Sequence, residues 1–269
     1  MPATLRRDQI LVTFAAVVWL VGTAFGMGLV GGTDGVNEQG EGLFSDSATL
    51  IAPHGPAFTI WPVIYVFLAG YVIWQWIATD SRWGAVTRLP AAASLALNGI
   101  WLLVVFADWL LVSVLVMLGI VASLGMILAR TADLPQEGLG ATIWVAVTFG
   151  LYLGWICVAT CANIASWLVG MGVPEDGTGP AFTTVAVLAV VVGLVALLLT
   201  RTRQPVFQLA LVAAVTWGVA WVAVGRLTGD LRSDLVGYAA IVTAITVVGL
   251  GVGALRTSSR KLEPSMAGS

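Results

Sequence analysis

Residues 141–169 read ATIWVAVTFGLYLGWICVATCANIASWLV, 29 residues without a charged side chain. A helix needs about 20 apolar residues to cross a bilayer, so this stretch is long enough to span one. The rest of the chain is similar, because 59% of its 269 residues are hydrophobic and only 10% are charged. About a quarter of the residues are charged in soluble domains. The sequence therefore predicts an integral membrane protein built of helices, which satisfy their own backbone hydrogen bonds in lipid.

Seven further apolar runs bring the predicted number of membrane spans to eight. The eight spans are roughly 10–30, 57–78, 91–107, 109–129, 141–169, 181–200, 206–225 and 235–255. The third and fourth are nearly fused and together would form a helix of about 60 Å, which is too long for one crossing. We therefore expect a tight turn at Asp108. The predicted fold is all-α, with about eight transmembrane helices.

Basic residues fall mainly on one side of these spans. If the N-terminus is placed inside, ten of the twelve Lys and Arg residues lie in inner segments, among them Arg88 and Arg130. The outer segments hold only Arg226 and Arg232. Cytoplasmic loops of membrane proteins carry such an excess of positive charge. Both termini are therefore predicted to be cytoplasmic, in a membrane of the bacterial inner-membrane type.

The composition of the chain divides it into two membrane units. The segment 172–180, GVPEDGTGP, is rich in turn-forming residues, and the three spans after it contain few polar side chains. We predict a five-helix domain at 1–171, a three-helix extension at 172–258 and a cytoplasmic tail at 259–269. The loop at 31–55 is long and glycine-rich, and it carries the acidic residues Asp34, Glu38, Glu41 and Asp46. Such a loop could cap a cavity between helices or serve only as a linker.

Several classes of membrane protein lack support in this sequence. Lys261 is the only lysine, so no span offers an attachment site for retinal. His54 is the only histidine, and a metal site built from several histidines is excluded. No ionisable residue is expected deep in a span, where coupled transporters usually carry one. No basic cluster predicts a nucleic-acid partner, and no pattern predicts catalytic or metal-binding residues.

Twelve tryptophans are the strongest functional signal of the chain. A tryptophan offers a flat π surface and one N–H donor, which suits an aromatic ligand inside an apolar protein. The alternative is an aromatic belt at the boundary between lipid and water. Trp83 and Trp109 lie at the ends of predicted spans, so we interpret them as belt residues.

Spans two and three each contain a pair of residues at helical spacing. The pair in span two is aromatic, and the pair in span three combines an amide with a tryptophan. Trp61 and Tyr65 in span two are four residues apart and share one face of the helix. In span three Asn98 lies three residues before Trp101. A neutral amide inside a membrane needs a hydrogen-bond partner. Asn98 could find that partner on another helix or on a ligand.

Span five carries the most specific of these patterns. Tyr152, Trp155, Ala159 and Asn163 fall on one broad face at about 100° per residue. The small side chain of Ala159, between an aromatic ring and an amide, leaves room for a neighbouring backbone or for a flat ligand.

Taken in order, the three patterns resemble the translocator protein family, whose bacterial members are called TspO or tryptophan-rich sensory proteins. The patterns are Pro-x7-Trp-x3-Tyr-x10-Trp, Leu-Asn-x2-Trp-x4-Phe and Tyr-x2-Trp-x3-Ala-Thr-x2-Asn-x3-Trp. The resemblance covers about residues 9–170 and implies a five-helix fold. It also implies a membrane sensor or receptor that binds porphyrins such as protoporphyrin IX or haem, or other flat apolar ligands, with no cofactor required. The ligand-binding positions would be Trp61, Tyr65, Asn98, Trp101, Tyr152, Trp155, Ala159 and Asn163.

Other expectations follow from the resemblance and from the extra helices. Certain bacterial relatives degrade porphyrin in light, so an enzymatic role stays open without being predicted. The family is often dimeric, which implies a homodimer in the lipid bilayer. The three additional spans suggest an alternative function, a permease for a hydrophobic or amphipathic metabolite.

Overall fold

The structure, a computed structural model, describes residues 3–26 and 42–262, and this part of the chain folds into eight long helices without any strand. All eight are long and apolar enough to cross a membrane, so the predicted span number and the all-α fold are confirmed. The helices are α1 (Ala3–Gly26), α2 (Ile60–Ile77), α3 (Arg82–Phe106), α4 (Leu110–Thr131), α5 (Leu139–Gly170), α6 (Thr178–Thr200), α7 (Pro205–Thr228) and α8 (Asp234–Leu262).

Successive helices run in opposite directions, so their connections gather at two ends of the bundle. We call the end that carries residues 42–54 the loop end, and the opposite end, with Arg82 and Arg130, the basic end. The acidic residues predicted in the loop at 31–41 lie outside the described residues. A turn separates α3 from α4 as expected, and Asp108 within it adopts a positive φ of 54°.

Helix α3 begins nine residues earlier than the sequence suggested, at Arg82. The helix runs through Pro90, although proline removes a hydrogen bond inside a helix. The carbonyl left free by Pro90 is that of Val86, four residues before it. Arg130 of α4 donates Nη1–H to this carbonyl at 3.2 Å. A neighbouring helix thus supplies the missing hydrogen bond, and α3 continues through the proline.

Two predictions about charged and aromatic residues near helix ends were wrong. Arg88 and Arg226 were placed in loops, yet both lie within helices and are only 2% and 1% exposed. Trp83 was interpreted as a belt residue, yet it is 2% exposed and donates Nε1–H to the carbonyl of Pro135 at 2.8 Å. All three side chains donate hydrogen bonds to backbone carbonyls of neighbouring segments, which allows them to be buried.

The closest helix contacts are made by glycines. A Cβ atom on Gly22 of α1 would collide with the backbone of Gly99 in α3. On α5, a Cβ atom on Gly154 would collide with the carbonyl of Leu211 in α7, and one on Gly150 would lie 2.8 Å from the carbonyl of Phe207. Small residues allow such backbone contact, which favours helix association in membranes. Helix α7 therefore packs directly on α5, and α8 packs against both α6 and α7.

Helix α7 also contacts the chain segment that leads into α2. The amide of His54 donates to the carbonyl of Trp221 at 3.1 Å. Trp217 donates Nε1–H to the carbonyl of Ala57 at 2.8 Å. These contacts cross the division at residue 171, and that domain boundary stays a prediction.

Arg226, near the end of α7, holds the rest of this segment. Its guanidinium donates to the carbonyl of Asp46 at 2.8 Å and to that of Thr49 at 3.2 Å. Asp46 Oδ2 in turn lies 2.7 Å from His54 Nδ1 and accepts the Gly55 amide at 2.8 Å. The described part of the loop is therefore fixed to α7 by hydrogen bonds from a buried cation.

The contact of α5 with α7 is tested by replacing Gly154 with leucine. Overfilling a packed interface costs about 1–3 kcal/mol, and a backbone contact has little room to adjust. We expect Gly154→Leu to lower the melting temperature, followed by circular dichroism in detergent, by about 5 °C or more. Gly193→Leu is the matched control, because a Cβ atom on Gly193 of α6 meets nothing within 4 Å. Equal melting temperatures for the two variants would contradict the contact.

The role of Arg226 is tested by Arg226→Met, which keeps the length of the side chain and removes its donors. Hydrogen bonds from a charged group contribute about 1.5–3 kcal/mol each, so hydrogen exchange of the amides in residues 48–57 should accelerate roughly tenfold or more. Arg232→Met is the control, since Arg232 is exposed and donates only to the nearby carbonyl of Gly229. Unchanged exchange in Arg226→Met, with helix content intact, would refute the anchoring.

Candidate functional site

A cavity of about 330 Å³ lies at the loop end, between helices α1 to α5 and the described part of the loop. Most of its surface is apolar, and none of the described residues that line it is charged. The lining residues are Thr23, Gly26, Phe44, Ser45, Ala52, Pro53, Phe58, Trp61, Pro62, Tyr65, Trp101, Leu102, Met117, Trp155, Ala159, Ala162, Asn163 and Ser166. The loop thus forms part of the cavity wall, as the capping interpretation of the sequence predicted.

Aromatic rings from α2 and α5 form one wall. The ring of Trp61 lies 5.2 Å from that of Tyr65 and 6.0 Å from that of Trp155, centroid to centroid. Phe58, one turn before Trp61, packs edge-on against Trp155 at 5.8 Å. Such edge-to-face contacts between rings stabilise each other's orientation. These ring contacts therefore hold the side chains of the wall in one arrangement.

Trp101 on the other side is held by a polar contact between α3, α4 and α5. Its Nε1–H donates to Oδ1 of Asn163 at 3.1 Å, and Asn163 Nδ2 donates to Ser113 Oγ at 2.9 Å. Phe44 of the loop packs edge-on against Trp101 at 6.2 Å. Asn163 lines the cavity, but much of its hydrogen-bonding capacity is used to orient Trp101.

Two predicted site residues do not line the cavity and lie one turn below it, toward the basic end. Asn98 is 1% exposed, and its Oδ1 accepts the Tyr65 hydroxyl at 3.5 Å. Tyr152 is fully buried, and its hydroxyl donates to the carbonyl of Ser94 at 3.5 Å. Of the alternatives for Asn98, the structure favours a partner on another helix. The remaining six, Trp61, Tyr65, Trp101, Trp155, Ala159 and Asn163, lie around one space.

A layer of buried apolar side chains lies on the basic-end side of the cavity. The layer contains Ile64 and Leu68 of α2, Leu95 of α3 and Ile120 of α4, all fully buried. Together with Tyr152 they belong to one core cluster. The described residues therefore show packed side chains between the cavity and the basic end.

Sequence reasoning missed several lining residues. Phe58 lies three residues before Trp61, so the helical spacing alone could have found it. Phe44, Ser45 and Pro53 belong to a loop without periodicity, and no sequence signal pointed to them. His54 and Asp46 form an ion-pair contact within the loop. The described residues hold no group of three or more His, Cys, Asp or Glu residues suited to a metal.

Comparison with known proteins agrees with this architecture. A family model described as TSPO-like protein matches residues 9–253, so the match runs from α1 into α8 and extends past the predicted limit near residue 170. Neither the curated proteins nor the solved structures gave a match. Because the family match covers most of the chain, this multi-pass membrane protein belongs to the TSPO-like protein family.

Proposed function

We propose that the protein is a membrane receptor or sensor that binds a flat, apolar ligand of the tetrapyrrole type in the loop-end cavity. The observation that carries the proposal is the set of aromatic side chains around one cavity, namely Trp61, Tyr65, Trp101 and Trp155. The cavity volume of about 330 Å³ lies at the lower end of the range of small-molecule sites, roughly 300–1,000 Å³. A larger macrocycle would extend toward the mouth beneath the loop.

The polar groups of the cavity are consistent with such a ligand. Trp155 lines the wall, and its Nε1 donor has no hydrogen-bond partner among the described residues. An indole N–H in apolar surroundings gains from an acceptor, which a ring substituent of the ligand can supply. Ser45 and Ser166 lie among the lining residues, so carboxylate groups of the ligand would bind at the mouth and the apolar ring would bind inside.

The buried layer on the basic-end side favours a receptor over a permease. A permeation path would have to pass Ile64, Leu68 and Leu95, which are fully buried. Among the described lining residues there is also no ionisable side chain that could couple transport to an ion. Uptake of protoporphyrin into proteoliposomes would instead support the permease, which stays the alternative.

The ligand proposal is tested by filling the cavity without removing a tryptophan. Ala159 lines the cavity between Trp155 and Asn163, so Ala159→Phe would place a phenyl ring in the space that the ligand needs. Overfilling costs about 1–3 kcal/mol, and the affinity for protoporphyrin IX, measured by quenching of tryptophan fluorescence, should fall roughly tenfold or more.

Ala93→Phe is the matched control for this experiment. Ala93 is exposed on the outer surface of α3, where an added ring would meet lipid. Protein carrying this change should bind protoporphyrin like the wild type. Saturable quenching of equal affinity in both variants would place the ligand elsewhere, and the absence of saturable quenching in the wild type would refute the proposed ligand class.

A further inference from the structure

A second and larger cavity lies at the basic end, among the three C-terminal helices. It is an open groove of about 1470 Å³ between the last turn of α6, the first turn of α7 and the second half of α8. Residues 132–136, between α4 and α5, close one side. It shares no lining residue with the loop-end cavity, and its volume exceeds the range of about 300–1,000 Å³ that is typical of small-molecule sites.

One wall of the groove is a face of α8 in which small side chains predominate. Thr246, Gly249, Leu250, Gly253 and Ala254 recur at spacings of three and four residues, so they share that face, and Leu250 is its one large side chain. A Cβ atom on Gly249 or on Gly253 would meet nothing within 4 Å. The face is therefore not used to bring another described helix close, and it leaves an apolar channel along α8.

A buried and unpartnered acceptor lies in the same groove. Gln208 of α7 is 2% exposed and lines the groove. Its Nε2 donates to the carbonyls of Leu199 and Thr202, at 3.2 and 2.8 Å, which fixes the orientation of the amide. Its Oε1 has no partner among the described residues. A buried acceptor without a donor is costly, so a ligand hydroxyl that reached Gln208 through the groove wall would stabilise it.

The turn between α6 and α7 adds a cation and a free hydroxyl. Arg203 is exposed and lines the groove, and no carboxylate of the described chain lies within salt-bridge distance of it, including Asp133 on the opposite wall. Thr202 Oγ1 accepts the Gln204 amide at 3.2 Å, so its hydrogen is free to donate. Both groups can donate to phosphate oxygens.

We propose that this groove binds an anionic glycerophospholipid whose headgroup carries a hydroxyl, such as phosphatidylglycerol. The phosphate would accept hydrogen bonds from Arg203 and Thr202, and the headgroup hydroxyl would donate to Gln208 Oε1. The acyl chains would cover the face of Gly249 and Gly253. Basic pockets between membrane helices bind lipid headgroups in this way. Free phosphate shares the headgroup chemistry but would leave the apolar face uncovered, so the groove favours the lipid.

The test counts bound lipid on the purified full-length chain by native mass spectrometry during titration in detergent. We expect phosphatidylglycerol to bind more tightly than phosphatidylcholine, which has neither net negative charge nor a headgroup donor. Arg203→Gln should weaken phosphatidylglycerol binding about fivefold. Arg201→Gln is the matched control, since Arg201 is also exposed in the same turn but does not line the groove.

A second pair of variants tests the apolar part of the site. Gly253→Leu should reduce phosphatidylglycerol binding by filling the channel, whereas Gly193→Leu, at an equally open position on α6, should not. Equal binding of the two lipids, or equal losses in Arg203→Gln and Arg201→Gln, would refute a specific site. Displacement of the lipid by millimolar inorganic phosphate would show that free phosphate is the occupant and would overturn the lipid assignment. None of these outcomes depends on whether protoporphyrin binds at the loop end.

Discussion

The backbone contact of α5 with α7 is the constraint on which the candidate site depends. Helices in lipid gain no hydrophobic free energy from association, so close approach through small residues has to hold them together. Gly150 and Gly154 allow this approach. On the same helix Trp155 and Ala159 line the cavity. One helix thus provides the interface for α7 and a wall of the site.

The position of α7 in turn determines the mouth of the cavity. Trp217 and Arg226 donate to backbone carbonyls of the segment before α2, and that segment contributes Phe44 and Pro53 to the cavity lining. Two nitrogens of the buried Arg226 guanidinium, Nη1 and Nη2, have backbone partners in this segment, while Nε has none among the described residues. The two hydrogen bonds favour one loop conformation. Helix α7 therefore supports the cavity, and the family match covers the whole of this helix.

The sequence predicted what depends on periodicity and missed what depends on contacts between helices. Apolar length predicted the eight spans, and helical spacing placed Trp61 and Tyr65 on one face of span two and Trp155 on a face of span five, while the resemblance implied that the three residues share a site. Spacing does not specify depth, so Asn98 and Tyr152 were assigned to the site although they lie a turn below it. The early start of α3 depends on a hydrogen-bond donor from α4. The chain has 31 glycines, and the sequence does not distinguish those that contact another helix from the rest.

The amides near the cavity bear on the kind of ligand that the proposed receptor would select. An isolated amide in the membrane would demand a polar ligand, but Asn163 is engaged by Trp101 and Ser113, and Asn98 accepts from Tyr65. The two amides thus orient the rings, and the Trp155 indole N–H is the donor of the aromatic wall that lacks a partner among the described residues. Under the proposed function, selectivity would then come mainly from the shape of the aromatic walls. Such a site would discriminate flat molecules from bulky ones better than it distinguishes between flat molecules, because loss of an apolar contact costs less than an unpaired polar group.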